Sequence, residues 1–157
     1  MRGRQDVAQQ AMNPDREAIR AFVADPAGPV PMQTNPLLAA FAAELLALDR
    51  EARALTMRFT PQPLFWQGAG MVQGGALAAM LDFVMGFAGM AVATDSQTIT
   101  TTSLTTSFYA AARSESYVAR GVVAKPGRRV MFATAELEGT DGRAVAAATS
   151  TLLVLDG

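Results

Sequence analysis

Hydrophobic and polar positions change period several times along the chain, and each change marks an element. Asn13 to Ala24 predicts a short helix: Asn13 stands at the cap, Pro14 in the first turn, and Asp15 and Glu17 where the positive helix end favours acids. Pro26, Gly28, Pro29 and Pro31 close it. A second helix is predicted from Pro36 to Leu48, with Asn35 as its cap and Leu37, Phe41, Leu45 and Leu48 as its apolar stripe. The period then drops to two. Ala52 to Thr60 alternates, with Leu55, Met57 and Phe59 on one side, and reads as a strand that Pro61 and Pro63 end. Phe65 to Val72 is a glycine-containing loop that delivers the chain to Gln73-Gly74-Gly75.

From Ala76 to Ala93 nearly every position is apolar, so the predicted helix is hydrophobic almost all round. Its length approaches the roughly 20 residues of a membrane span. However, Asp82 interrupts it, and a charge at mid-bilayer costs about 2.5–3.5 kcal/mol. The expectation is a core helix, with no membrane partner. After Thr94 the pattern turns to strands. Gln97 to Tyr109 is dense in Thr, Tyr117 to Lys125 ends at a Pro-Gly turn, and Arg129 to Glu138 is joined to Arg143 to Leu155 through Gly139-Thr140-Asp141-Gly142. The alanines from Ala144 to Thr149 suit a helix by propensity, but the hairpin signal favours strand. The predicted architecture is α+β, one curved antiparallel sheet wrapped around one apolar helix. Residues 1–50 form an N-terminal helical extension packed on the domain of residues 51–157.

The 157 residues fit a single domain, and 50% hydrophobic against 17% charged content is enough to build a core. A net charge of −1 gives no basic excess, so nucleic acid is not an expected partner. No apolar signal segment is visible near the N-terminus, and the expected location is cytoplasmic. The chain has no Cys and no His. That removes disulfides, thiol nucleophiles, Cys- or His-ligated metals, Ser-His-Asp arrangements and the commonest general base. Chemistry must come from carboxylates, hydroxyls, amides, Lys, Arg or backbone N–H groups.

Three features stand out under that restriction. Gln73-Gly74-Gly75 opens the long helix, where unpaired N–H groups and the positive dipole end suit a developing oxyanion. The glycines equally serve a loop-to-helix turn. Asp82 is the single charged residue between Arg58 and Asp95, inside an apolar helix. A carboxylate there is paired or functional. The hydroxyl-rich run Thr98 to Ser107 is a solvated sheet face or, at one position, a partner that orients water beside Asp82. Nine residues separate Gln73 from Asp82, which puts them on opposite sides of a helix and about 13 Å apart along its axis. One chain cannot place both around one substrate. Two copies in a symmetric homodimer can, so a homodimer is expected, and whether it stands alone or in a dimer of dimers is left open by this geometry.

The run Trp66-Gln67-Gly68, then Gln73-Gly74-Gly75, then after six residues Asp82, resembles the signature of hotdog-fold acyl-CoA thioesterases of the phenylacetate-pathway (PaaI-like) type, Asn-(x5)-His-Gly-Gly-(x6)-Asp. Thr101 to Ala112, TTSLTTSFYAAA, is similar to the strand that follows in that family, and the likeness runs over Ala52 to Leu155. The resemblance implies a hotdog fold and hydrolysis of an acyl-CoA to free acid and CoA, with CoA entering as part of the substrate and no metal or other cofactor. It implies that Asp82 is the catalytic carboxylate, that the Gly74 N–H binds the thioester oxygen, and that Thr101 helps hold the water. Gln67 and Gln73 would assist at the carbonyl. Trp66, Gly75, Arg128 and Arg129 would meet the substrate, the arginines at the CoA phosphates. Gln73 stands where the family usually has His, and Gln67 where it usually has Asn. Gln73 keeps a hydrogen-bond donor but cannot shuttle a proton. A hotdog module that binds an acyl thioester without cleaving it is therefore the alternative.

Overall fold

The computed structural model describes residues 13–156. The polar stretch Met1 to Met12, where no signal segment was visible, lies outside them. Helix α1 (Pro14–Ala24) begins as predicted, with the Asn13 side chain accepting from the N–H groups of Asp15 and Arg16 at 3.0 and 3.3 Å. It buries Ile19 and Phe22.

The second predicted helix is the main correction. Asn35 does cap it, but α2 covers only Pro36–Ala40, and Glu44–Asp49 is a strand, β2. The stop is made by the backbone. Ala42 takes a left-handed φ of 43°, the Ala43 N–H donates to Leu38 O at 3.1 Å and the Ala42 N–H to Ala39 O at 3.0 Å. That is a helix C-cap whose left-handed position is usually glycine. With alanine there, the sequence carries no stop signal. Leu45 and Leu48 belong to a sheet rather than to a helical stripe, because the edge of strand β3 (Ala54–Phe59) offers them partners in register, Met57 and Leu55.

From Ala54 on, the long helix and the later strands follow the predicted order, whereas Val30–Pro31 and the glycine-containing loop from Phe65 to Val72 form short strands that the sequence reading did not expect. Strand β1 (Val30–Pro31) pairs with β2; β3 is Ala54–Phe59; a small hairpin joins β4 (Trp66–Gln67) to β5 (Met71–Val72). Helix α3 spans Gly74–Val92. Strands β6 (Gln97–Phe108), β7 (Tyr117–Lys125), β8 (Val130–Gly139) and β9 (Ala144–Asp156) complete the chain. The large sheet has the order β1-β2-β3-β7-β8-β9-β6, antiparallel throughout. It wraps around α3, as the α+β reading and the hotdog resemblance imply.

Small residues let helix and sheet approach closely. A Cβ on Gly121 of β7 would lie 2.6 Å from the Val84 carbonyl oxygen of α3, so only glycine fits there. The alanines of β8 and β9 (Ala133, Ala135, Ala146, Ala148) are buried in the same core, which explains why the alanine-rich segment is a strand against its propensity. Helix α3 is long and apolar enough to cross a membrane, but Leu77, Met80, Leu81, Val84 and Met85 are buried inside this fold.

Candidate active site

Two clusters along α3 hold the residues singled out in the sequence. The first is at its N-terminus. The β4–β5 hairpin turns at Gly68-Ala69-Gly70, with Gly70 at φ 70°. It returns the chain to Gln73, whose N–H donates to Phe65 O at 2.8 Å. Gln73 is the residue before the helix and its side chain makes no cap bond. Its carbonyl accepts from Ala76 and Leu77. No hydrogen bond from the described residues reaches the N–H groups of Gly74 and Gly75. These are donors of the kind every helix start leaves free. Space beside Gly75 is open, and Gly74 lies under the ring of Phe108, 3.2 Å from where its Cβ would be. Trp66 and Gln67 sit half-buried on the hairpin.

The second cluster is two turns further on. Asp82 is half-buried, and the Thr101 hydroxyl donates to its carboxylate at 2.7 Å. No ion pair reaches Asp82 among the described residues. Of the two readings of Asp82, the hydroxyl-partnered one describes the geometry, and the carboxylate keeps acceptor capacity toward solvent. Thr101 lies on the edge strand β6 and is exposed. Arg128 and Arg129 are exposed in the β7–β8 turn, where Arg129 O accepts from the Val154 N–H at 2.9 Å. Val154 pairs with Ile99, two residues from Thr101, whereas Phe108 is nine residues along β6, roughly 30 Å away. Asp82, Thr101 and the two arginines therefore belong to one end of β6. Gln67, Gln73, Gly74 and Gly75 belong to the other. The single chain does not bring the two groups together.

Two neighbours of the site escaped the sequence reading. Thr101 and Phe108 are seven positions apart, so in a regular strand they would face opposite sides. The β6–β9 register slips between Thr101 and Ser103, and Thr102 Oγ1 donates to Thr151 O at 3.0 Å. This bulge resets the alternation, so that both Thr101 and Phe108 face α3. No local signal marks the bulge in a run of threonines and serines. Arg113, beyond β6, is the second: its guanidinium donates to Ala69 O at 3.0 Å and Gly70 O at 3.3 Å, on the hairpin tip.

Residues 69–146 match the model of the thioesterase superfamily. Solved structures agree on the fold. A thioesterase family protein from Silicibacter pomeroyi is 25% identical, covers 91% of this chain and 99% of its own, and superposes with a TM-score of 0.76. A phenylacetic acid degradation-related protein from Ralstonia eutropha JMP134 is 29% identical, covers 86% and 98%, and gives 0.74. A Bacillus halodurans protein solved with CoA shares the fold at 24% identity, covering 64% and 66%, with a TM-score of 0.61. No curated protein sequence matches. The thioesterase match and these structures bear out the hotdog resemblance and support thioester hydrolysis as the activity class.

Proposed function

We propose that this thioesterase-superfamily chain hydrolyses acyl-CoA at two equivalent sites, each built from both protomers of a homodimer. The observation that carries the reading is the division of the candidate residues into two incomplete halves along one helix. One half has an oxyanion-type donor pair at Gly74 and Gly75 without a carboxylate. The other has the Asp82–Thr101 pair without a helix N-terminus beside it. The edge strand supports the pairing. Strand β6 is 12 residues long, ends the sheet and among the described residues is bonded only to β9, leaving one whole edge of N–H and C=O groups unpaired there. Proteins cover such edges, and a second copy of β6 is a self-complementary cover.

In this arrangement the thioester oxygen sits on the Gly74 N–H of one protomer, with Gln67 or Gln73 assisting. Asp82 of the other protomer, steadied by Thr101, takes a proton from water as it attacks, or attacks the carbonyl itself. Negative charge develops on the former carbonyl oxygen, where the N–H and the helix dipole stabilise it. Collapse breaks the C–S bond, and the thiolate leaves and is protonated; on the water route the acyl group departs as the free acid, and on the direct route it stays on Asp82 as a mixed anhydride until water hydrolyses it to the free acid. Trp66 and Gly75 border the acyl thioester. Arg128 and Arg129, at the Asp82 end, meet the CoA phosphates. The residues supply this chemistry without a metal or redox cofactor.

A complementation assay tests the arrangement. Asp82→Asn and Gly74→Pro chains are each expected to be inactive in thiol release from acyl-CoAs. Proline is tolerated at the first helical position yet lacks the N–H. Mixed and reassembled, they regenerate one intact site per hybrid dimer, and activity returns. Hybrids that stay inactive, from chains that re-pair, would rule out the shared site. Acyl-CoA binding without thiol release by the unaltered chain would favour the non-cleaving module.

A further inference from the structure

We infer that Arg113 is a positioning residue for the reaction: its guanidinium fixes the hairpin that aims the Gly74 end of α3. The inference rests on the function proposed above. The hairpin is weak by itself. Strands β4 and β5 are two residues each, paired only as Trp66–Val72 and Gln67–Met71, far below what holds a free hairpin in water. Its base is fastened by backbone bonds, Val72 N–H to Ala112 O at 2.9 Å and Gln73 N–H to Phe65 O at 2.8 Å. Its tip, Gly68-Ala69-Gly70, is exposed and meets no neighbour that a Cβ on Gly68 would touch. Among the described residues, the Arg113 bonds to Ala69 O and Gly70 O are the only side-chain hydrogen bonds to that tip.

Those bonds tie together the two segments that meet at the donor end of the helix. One is the hairpin, which runs directly into Gln73 and Gly74. The other follows Phe108, whose ring lies over Gly74. A charged donor shared between two carbonyls is stronger than a neutral one. Arg113 is itself exposed, so removing its side chain leaves the core intact. The tether acts on placement, and a small misplacement of a donor falls mainly on the transition state.

The test compares Arg113→Ala and Arg113→Lys with the unaltered protein, with Asp82→Asn alongside, in thiol release from an acyl-CoA panel and in amide hydrogen exchange. Arg113→Ala is expected to lower kcat about tenfold with KM changed less than twofold, and to speed exchange over Trp66 to Gly75 while the sheet stays protected. Arg113→Lys, which still donates to both carbonyls, is expected to recover most of kcat and of the protection. Unchanged exchange or unchanged kcat in Arg113→Ala overturns the inference. So does a rise in KM alone without lysine rescue, which would make Arg113 a substrate contact. If Asp82→Asn is as active as the unaltered chain, the proposed mechanism fails instead, while the exchange data still decide whether Arg113 holds the hairpin.

Discussion

The two ends of α3 are treated in opposite ways. At the C-terminal end, the guanidinium of Arg16 on α1 donates to the carbonyls of Met90, Ala93 and Thr94, with Asp95 Oδ1 3.8 Å away. The Arg16 side chain is only 12% exposed. Burial pulls its ionisation below the ordinary arginine value, and the Asp95 charge opposes that pull. A cation among the last carbonyls also complements the negative dipole end. At the N-terminal end nothing among the described residues takes the Gly74 and Gly75 N–H groups, and the Gln73 side chain does not fold back to cap them. Every helix leaves orphan groups at both ends. Here the chain spends a buried arginine on one set and leaves the other open beside glycine. The contrast separates stability from function: the closed end holds the N-terminal segment to the core, and the open end is available to a ligand.

That contrast can be broken from either side. The largest expected effect is at Asp82, the carboxylate that the proposed dimer brings to the open end. Asp82→Asn is expected to lower kcat for acyl-CoA hydrolysis about a hundred- to ten-thousandfold, with the thermal midpoint little changed. Gly74→Pro removes one open donor and is expected to cost about a hundred- to thousandfold in kcat. Gly74→Ala keeps the N–H and meets only the movable ring of Phe108, so it is expected to cost far less. Equal losses in the two would shift the explanation from the hydrogen bond to crowding. Arg16→Met attacks the closed end. It is expected to lower unfolding free energy by about 2 kcal/mol in denaturant titration, and to leave kcat/KM unchanged at a temperature where the protein is folded. The smallest effect is at another closed end, that of α2. Ala42→Gly relieves the left-handed alanine and is expected to raise stability by up to about 1 kcal/mol.

Much of this was legible because it is local. The Asn13 cap, the strands from β6 to β9 and the Asp141-Gly142 turn are written in neighbouring residues, and so is the apolar period of α3. The end of α2 was not, because its capping position carries alanine instead of glycine. Strand β2 drew its identity from a partner strand 5 to 14 residues away, and hydrogen-bonded pairing overrode a plausible helical stripe. The site divides in the same way. Asp82, Gly74 and their spacing followed from a run of sequence and the pitch of a helix. Phe108 was hidden by a bulge that leaves no trace in a threonine-rich strand. Arg113 was hidden because its partners are carbonyls 43 and 44 residues earlier.

By itself, then, the sequence determined the chemical inventory, in which hydroxyls, amides and one carboxylate in an apolar helix stand in for the missing His and Cys. It also determined that this carboxylate and the glycines lie too far apart on one helix to share a ligand, since rise per residue is a property of the backbone alone. Only the tertiary structure decided what each group meets: Thr101 on Asp82, Phe108 on Gly74, Arg16 on the last carbonyls of α3, Arg113 on the hairpin tip. Those meetings depend on strand register and on which edge a strand occupies. Register is fixed by the whole sheet closing around the helix, a cooperative outcome that no short window of residues encodes.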